Sequence, residues 1–348
     1  KDCIDLYPTL NHNRIMAAAV FIEKLQKRYG NVEAVKDVSF QVEAGEIFGL
    51  LGPNGAGKTT TIRCLCTLAA PDAGKLEVCG ISVTANPKAV RHRLGYVAQE
   101  VAIDKILTGR ELLQLQAALY HLPGAVAKER INAMLKLLGL EEWADKKTGT
   151  YSGGIRRRID LAAGLLHKPD VLVLDEPTVG LDIESRVVMW NVLRQLRDSG
   201  ITVLMTSHYL EEIDALADRV AIIDRGVVIA SGTPSELKDR VGGDRITLRI
   251  REFTPEEEAE KAREMLQTLP FVQEVILNSA QGNSLNLVVK PQSDALLTIQ
   301  QSLRDAGLPT FGIAQSRPSL DDVYLAATGR TLLDAELAAV GTRDPKAE

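Results

Sequence analysis

Residues 52–61 read GPNGAGKTTT: three glycines, one lysine and a run of three threonines. A packed core has no use for this mixture, because glycine has no side chain to bury and an unpaired buried amine is costly. A bound polyphosphate does. Successive backbone N–H groups must turn toward one anion, which requires angles that glycine adopts most readily. Gly52-Pro53-Asn54-Gly55-Ala56-Gly57-Lys58-Thr59 fits the pattern G-x-x-x-x-G-K-[ST]. A buried-type strand, EIFGLL (46–51), leads in, and an amphipathic helix, TTTIRCLCTLA (59–69), leads out. That helix offers free N–H groups and the positive end of its dipole. On this reading Lys58 bridges the β- and γ-phosphates, and Thr59 binds Mg²⁺ through its hydroxyl.

A nucleotide and its metal also need carboxylates. VLVLDE (171–176) supplies two at the C-terminal end of an apolar strand, where ligands bind in open α/β sheets. Asp175 is expected in the Mg²⁺ shell, and Glu176 is expected to orient and deprotonate the attacking water. Without the glycine loop the pair would read equally well as a strand cap. A second Ser-Gly-Gly turn, Ser152-Gly153-Gly154 in YSGGIRRRIDLAAGLL (151–166), opens another helix and makes a second anion site. One chain already has its cradle, so this second site calls for a different nucleotide. Arg156, Arg157 and Arg158 read as a solvated helix face.

Further from the cradle the chain is ordinary. Its 348 residues suffice for two or three domains, with 45% apolar and 25% charged residues. The net charge of −5 gives no reason to expect nucleic acid or an acidic membrane as a partner. Cys3, Cys64, Cys66 and Cys79 lack metal or disulfide-framework spacing. Cys66 lies on the apolar stripe Ile62, Leu65, Cys66, Ala69, so buried free thiols in a reducing compartment are expected. Apolar runs reach about five to seven residues, short of the roughly 20 that span a bilayer. The opening stretch has no basic end followed by an apolar run, so it does not read as a secretion signal. It does not begin with Met, which leaves room for native sequence ahead of it. A cytosolic location is expected.

Residues 1–17 read as an extension and residues 18–241 as an α/β domain. There EIFGLL, VLVLDE, ITVLMTS (201–207) and RVAIID (219–224) suit parallel strands covered on both faces. LLQLQAALY (112–120) and RVVMWNVLRQLRD (186–198) have helical periodicity. Gly242–Gly243 makes a hinge. Residues 242–330 then read β-α-β-β-α-β, a ferredoxin-like α+β domain, followed by a helix at 319–329 that opens on Ser and acids and ends at Gly. Residues 331–348 read as an Ala-rich, charged tail.

LGPNGAGKTT, YSGG, VLVLDEPTVGLD and TSH, in this order and at these spacings, resemble the ATP-binding subunit of an ABC transporter over about residues 19–242. The resemblance implies a P-loop ABC nucleotide-binding fold, with a RecA-like core and a helical subdomain. It implies ATP and Mg²⁺ as ligands, and two copies packed head to tail around two ATP molecules. Ser152, Gly153 and Gly154 would then touch the γ-phosphate held by the partner's cradle, which accounts for the second anion site. Tyr29, which alone would read as simple packing, matches the aromatic that stacks on adenine. Gln99 matches the glutamine that joins Mg²⁺ and water to the transport partner. Asp182 matches the aspartate that communicates across the dimer. His208 matches the histidine on the γ-phosphate, and Thr60 adds an α-phosphate contact. The family usually has Gln where this chain has Ile155, which puts one polar contact in doubt. The basic run IRRRIDLA and the β-α-β-β-α-β extension resemble the branch that includes daunorubicin-resistance exporter ATPases.

The resemblance implies ATP hydrolysis that drives a separate transmembrane permease, placing the chain on the cytoplasmic face of the membrane. Residues 97–113 sit where the family docks that permease, and their apolar side chains either receive it or belong to the core. The cargo could be a drug, a lipid or a glycan. The competing reading is a soluble ABC-type ATPase acting on ribosomes or DNA, but the chain has one cassette and no heptad run between Lys58 and Ser152.

Overall fold

A computed structural model describes residues 18–252, 254–279, 282–290 and 294–341. The extension at 1–17, with Cys3, and part of the tail lie outside the described residues. The chain divides between Ser231 and Gly232 into two units. The break precedes the Gly242–Gly243 hinge because the helix Pro234–Val241 packs on the helix Leu320–Thr328 of the second unit.

The strands of the first unit are β1 (Val20–Tyr29), β2 (Val32–Val42), β3 (Ile47–Leu51), β4 (Ala73–Val78), β5 (Ile81–Ser82), β6 (Leu94–Val97), β7 (Val171–Asp175), β8 (Thr202–Ser207), β9 (Arg219–Asp224) and β10 (Val227–Gly232). They form one sheet in the order β5-β4-β1-β2-β10-β9-β3-β8-β7-β6. The run β6-β7-β8-β3-β9 is parallel. Every residue of β3, β7 and β8 is buried, as continuous apolar runs require. The expectation of a parallel sheet holds for this run and for the β2–β10 pair, but not for the other edge. β1 pairs antiparallel with β2 and β4, and β4 with β5. The two-residue Gly30–Asn31 connection forces the reversal, and Gly30 takes φ 55° there.

Between β6 and β7 the chain leaves the sheet for a helical subdomain. Helices Gly109–Leu119, Gly124–Leu137 and Gly153–Leu165 pack on one another through buried Leu113, Ala117, Ile131, Leu135 and Ile159. The core of the unit gathers Ile22, Val35, Phe48, Leu50, Ile62, Val173 and Leu204, and Phe40 stacks on Phe48 at 5.1 Å. Cys64 and Cys66 are buried in it as free thiols. Burial pushes the Cys64 thiol up to about 11.

In the second unit β11 (Asp244–Arg249), β12 (Val272–Asn278), β13 (Ser284–Val289) and β14 (Gly312–Ser316) form an antiparallel sheet in the order β12-β13-β11-β14. With helices Glu256–Gln267 and Ala295–Asp305 between strands, this is the expected β-α-β-β-α-β ferredoxin-like fold. Ile246, Leu248, Leu285 and Leu287 meet Ala262, Leu266, Ile299 and Leu303 in its core. The helix Leu320–Thr328 opens on a Ser319–Asp322 capping box and closes on Gly329 at φ 75°.

Candidate functional site

β3 ends in the glycine loop, and the helix Lys58–Leu65 begins directly after it. Gly57 has φ 107°, and a Cβ there would lie 2.7 Å from the Ala34 carbonyl oxygen, so no other residue fits without displacing β2. Lys58 is buried, and its amine donates to the carbonyl oxygens of Gly52 (2.7 Å) and Pro53 (3.1 Å). Beside the loop lies a cavity of about 470 Å³, lined by Asn54, Gly55, Gly57, Lys58, Thr59, Thr60, Gln99 and Glu176 together with Val32–Ala34, Lys36 and Arg225. Its size suits a small-molecule ligand.

The end of β7 brings the carboxylates to this cavity. Asp175 Oδ1 accepts from Thr59 Oγ1 at 3.3 Å and from Thr206 Oγ1 at 2.6 Å. The Glu176 amide donates to the same Thr206 hydroxyl at 2.9 Å. Glu176 has a left-handed backbone, φ 48°, a conformation that costs a non-glycine residue about 1–3 kcal/mol and clusters at working sites. Its carboxylate is buried. Oε2 accepts from Gln99 Nε2 at 3.0 Å, Oε1 lies 3.1 Å from His208 Nδ1, and Lys58 Nζ is 3.8 Å away. Burial works against its charge, but the His208 hydrogen bond and the Lys58 charge outweigh burial and hold the carboxyl below its ordinary value. Glu176 is therefore ionised at neutral pH.

The three arginines after the signature glycines correct the expectation of a solvated helix face. Each reaches a carbonyl. Arg156 Nε donates to Tyr151 O at 3.0 Å and Arg158 Nη1 to Leu138 O at 2.9 Å. Arg157 is 4% exposed and aims its guanidinium under the end of β7. Nε donates to Pro177 O at 2.9 Å, and Nη2 to Asp175 O at 2.9 Å and Glu176 O at 3.0 Å. Nη1 donates to Ala98 O and, at 3.4 Å, to Gln99 O. Sequence reasoning missed Arg157 and also Thr206, which the TSH motif contained.

Comparison with known proteins agrees with this geometry. The ABC transporter family matches residues 35–179, and the C-terminal domain of DrrA1-3-like ATP-binding proteins matches residues 232–328. Daunorubicin resistance ATP-binding protein DrrA3 of Streptomyces coeruleorubidus is 42% identical over 89% of this chain and 96% of its own length. The chain belongs to the ABC transporter ATP-binding subunits. Nod factor export ATP-binding protein I of Ralstonia nicotianae is 37% identical over 90% of the chain and 94% of its own length. A solved ATP-binding subunit of an ABC transporter superposes with a TM-score of 0.59 at 27% identity, covering 64% of this chain and 93% of that one. ATP hydrolysis is the activity of the domain. These relatives are transporter subunits, which does not favour the ribosome- or DNA-acting alternative.

In this ATP-binding subunit the remaining expected residues lie apart from the cavity. Tyr29 is 45% exposed and pairs across the β1–β2 hairpin with Val32, a cavity residue. Ser152 caps the helix Gly153–Leu165, accepting from the Ile155 amide at 3.4 Å, and it is exposed together with Gly153. Gly154 is buried, and a Cβ there would lie 2.3 Å from Ser185 Oγ. Ile155 is buried. Asp182 caps the helix Ile183–Asp198, accepting from the Ser185 amide at 2.7 Å, and that bond with the Ser185 hydroxyl holds its carboxyl below the ordinary range. Residues 97–113 divide, with Val97 and Leu113 in the core and Ile106 75% exposed. Among the described residues no helix is long and apolar enough to cross a membrane.

Proposed function

We propose that this chain is the ATP-hydrolysing subunit of an exporter, with Glu176 as the base that takes a proton from the attacking water. The observation that carries the reading is the set of partners around Glu176: Gln99, His208 and Lys58 surround an ionised, buried carboxylate beside the glycine loop. Lys58 and the loop amides bind the β- and γ-phosphates, Thr60 the α-phosphate, and Tyr29 stacks on adenine. His208 holds the γ-phosphate and orients Glu176. Thr59 Oγ1 and Asp175 Oδ1 are hard oxygens 3.3 Å apart, which suits Mg²⁺. Among the described residues no group of three or more His, Cys, Asp or Glu could hold a metal. Mg²⁺ needs no such cluster, since it is bound through one or two carboxylates with phosphate oxygens and water in the rest of its shell. Thr59, Asp175 and Gln99 would hold it, and when bound it neutralises charge on the transferring phosphoryl group.

Exposed Ser152 and Gly153 leave a helix N-terminus free to complete the site of a second copy, packed head to tail, with Asp182 at the same face. A transmembrane permease seats on the exposed part of residues 97–113, placing the subunit on the cytoplasmic face of its membrane. The named relatives are a daunorubicin resistance protein and a Nod factor export protein, so a hydrophobic compound, lipid or glycan is the proposed cargo. Glu176→Gln tests the reading. It should bind ATP with Mg²⁺ and form dimers in sedimentation while releasing phosphate at least about 100-fold more slowly. Ordinary turnover in that variant, or full-rate hydrolysis by a strict monomer of the wild type, would overturn it.

A further inference from the structure

Arg157 lies in the signature helix, yet its five backbone acceptors belong to the two segments that hold the catalytic carboxylate. Asp175 ends β7, Glu176 and Pro177 begin the turn that leaves it, and Glu176 is left-handed there. The carbonyls of Glu176 and Pro177 lie beyond the strand ladder, with only a 3.4 Å bond from the Val179 amide to Glu176 O within the turn, and a buried acceptor needs a donor. Ala98 and Gln99 follow β6, and the Gln99 side chain reaches Glu176. One planar guanidinium therefore satisfies both segments together. Its fork presents five N–H donors in fixed directions, which neither Lys nor Gln can reproduce.

We propose that Arg157 is a positioning residue for hydrolysis: it locks the turn that aims Glu176 and fastens it to the Ala98–Gln99 segment, so that the two move as one piece. The inference rests on the role of Glu176 given above. It predicts more than loss of a fold contact. Arg157 does not touch the glycine loop and meets the cavity-lining residues Gln99 and Glu176 only at their backbone carbonyls, so nucleotide affinity should survive its replacement while the chemical step suffers. Its effect should also pass chiefly through Glu176.

The test is a double-mutant cycle on the full chain. Arg157→Gln should bind ATP·Mg²⁺ within about threefold of wild type and lower kcat about 30-fold or more, with KM little changed. In a Glu176→Gln background the same change should lower the residual rate by less than about threefold, because the group it positions is already gone. Equal losses in the two backgrounds, or loss of kcat in step with lost nucleotide affinity, would overturn the proposal. Hydrogen exchange adds a second readout. Amides of 98–100, 176, 178 and 179 should lose protection together in Arg157→Gln while those of 158–165 keep theirs, and melting of the whole helix would count against the proposal. If Arg157→Gln does not fold, Arg157→Lys serves, with a severalfold fall in kcat at unchanged affinity. Full turnover in a folded Arg157→Lys would reject the need for the fork. Failure of the base assignment is separable, because Glu176→Gln alone would then turn over normally.

Discussion

Arg157 and Arg245 are about equally buried, 4% and 5% exposed, and they are satisfied in opposite ways. Arg157 spends its donors on main-chain carbonyls, and its ion-pair partner Asp160 stands 3.8 Å off. Arg245, on β11 of the second unit, faces Asp322 Oδ1 at 3.3 Å, and its Nε and Nη2 make no hydrogen bond among the described residues. Burial lowers the proton affinity of both. A cation held by fixed dipoles defines the shape of a turn, whereas a cation held by one carboxylate defines only a pairing. The first suits a site where an ångström matters, and the second suits a joint between a sheet and the helix Leu320–Thr328.

Substitution should separate the two. The Arg157 variants should lose most of their turnover at nearly unchanged nucleotide affinity, as set out above. Arg245→Met should leave ATP hydrolysis within about twofold of wild type. It should destabilise the second unit by about 3 kcal/mol, because Asp322 is left without its cation. Urea unfolding followed by phosphate release at a temperature where both units are folded would check this. Replacing Asp322 by Leu in the same chain should restore only part of the loss, because it also removes the Ser319–Asp322 capping box. A fall in turnover as large as that of Arg157→Gln would erase the distinction.

The contrast also marks where sequence reading succeeds. The glycine loop, the acidic end of β7 and the Ser152 helix cap were legible as local structure because each is set by a few consecutive residues. β-α-β-β-α-β was legible in the second unit because its strands alternate with helices of clear periodicity, and the order β12-β13-β11-β14 follows from that topology. Arg157 was not. Helical periodicity puts Ile155, Ile159 and Ala162 on the apolar stripe and leaves Arg157 off it, so it reads as solvated. Its acceptors lie 18 residues away at Asp175 and 59 at Ala98, and nothing local announces them. The antiparallel edge of the large sheet is announced in the sequence only by Gly30–Asn31, a two-residue turn signal between alternating runs, and is harder to read than the continuous apolar runs of the parallel strands.

Thr206 offers a milder test within the same site. Its hydroxyl donates to Asp175 and accepts from the Glu176 amide, so it ties the carboxylate pair to β8 as Arg157 ties it to β6. Thr206→Val keeps the shape and removes both bonds. An unsatisfied buried group costs about 1–3 kcal/mol, and part of that should appear as a fall in kcat of about tenfold. Because Asp175 is also the Mg²⁺ residue proposed above, the Mg²⁺ needed for half-maximal turnover should rise as well. A loss of stability with kcat and Mg²⁺ requirement unchanged would make Thr206 a packing residue like those around Arg245.

The smallest expected effect concerns how little Arg157 depends on its carboxylate. The Asp160 carboxyl is pushed up to about 6 by burial, against the pull of Arg157, from an ordinary value of 3.8. Below pH 3.8 it is protonated in both the folded and unfolded chain, and its contribution to stability is fully present. As pH rises from 3.8 to about 6 the unfolded chain releases the proton first, so that contribution is lost, and it stays lost at higher pH. Asp160→Asn should therefore gain on wild type between pH 4 and pH 7, on the order of 1–2 kcal/mol in urea midpoints converted with a common m-value. Turnover should stay near wild type, because the carbonyls still hold the guanidinium. If Asp160→Asn instead loses stability as pH rises relative to wild type, the ion pair outweighs the dipoles, and Arg157 belongs with Arg245 after all.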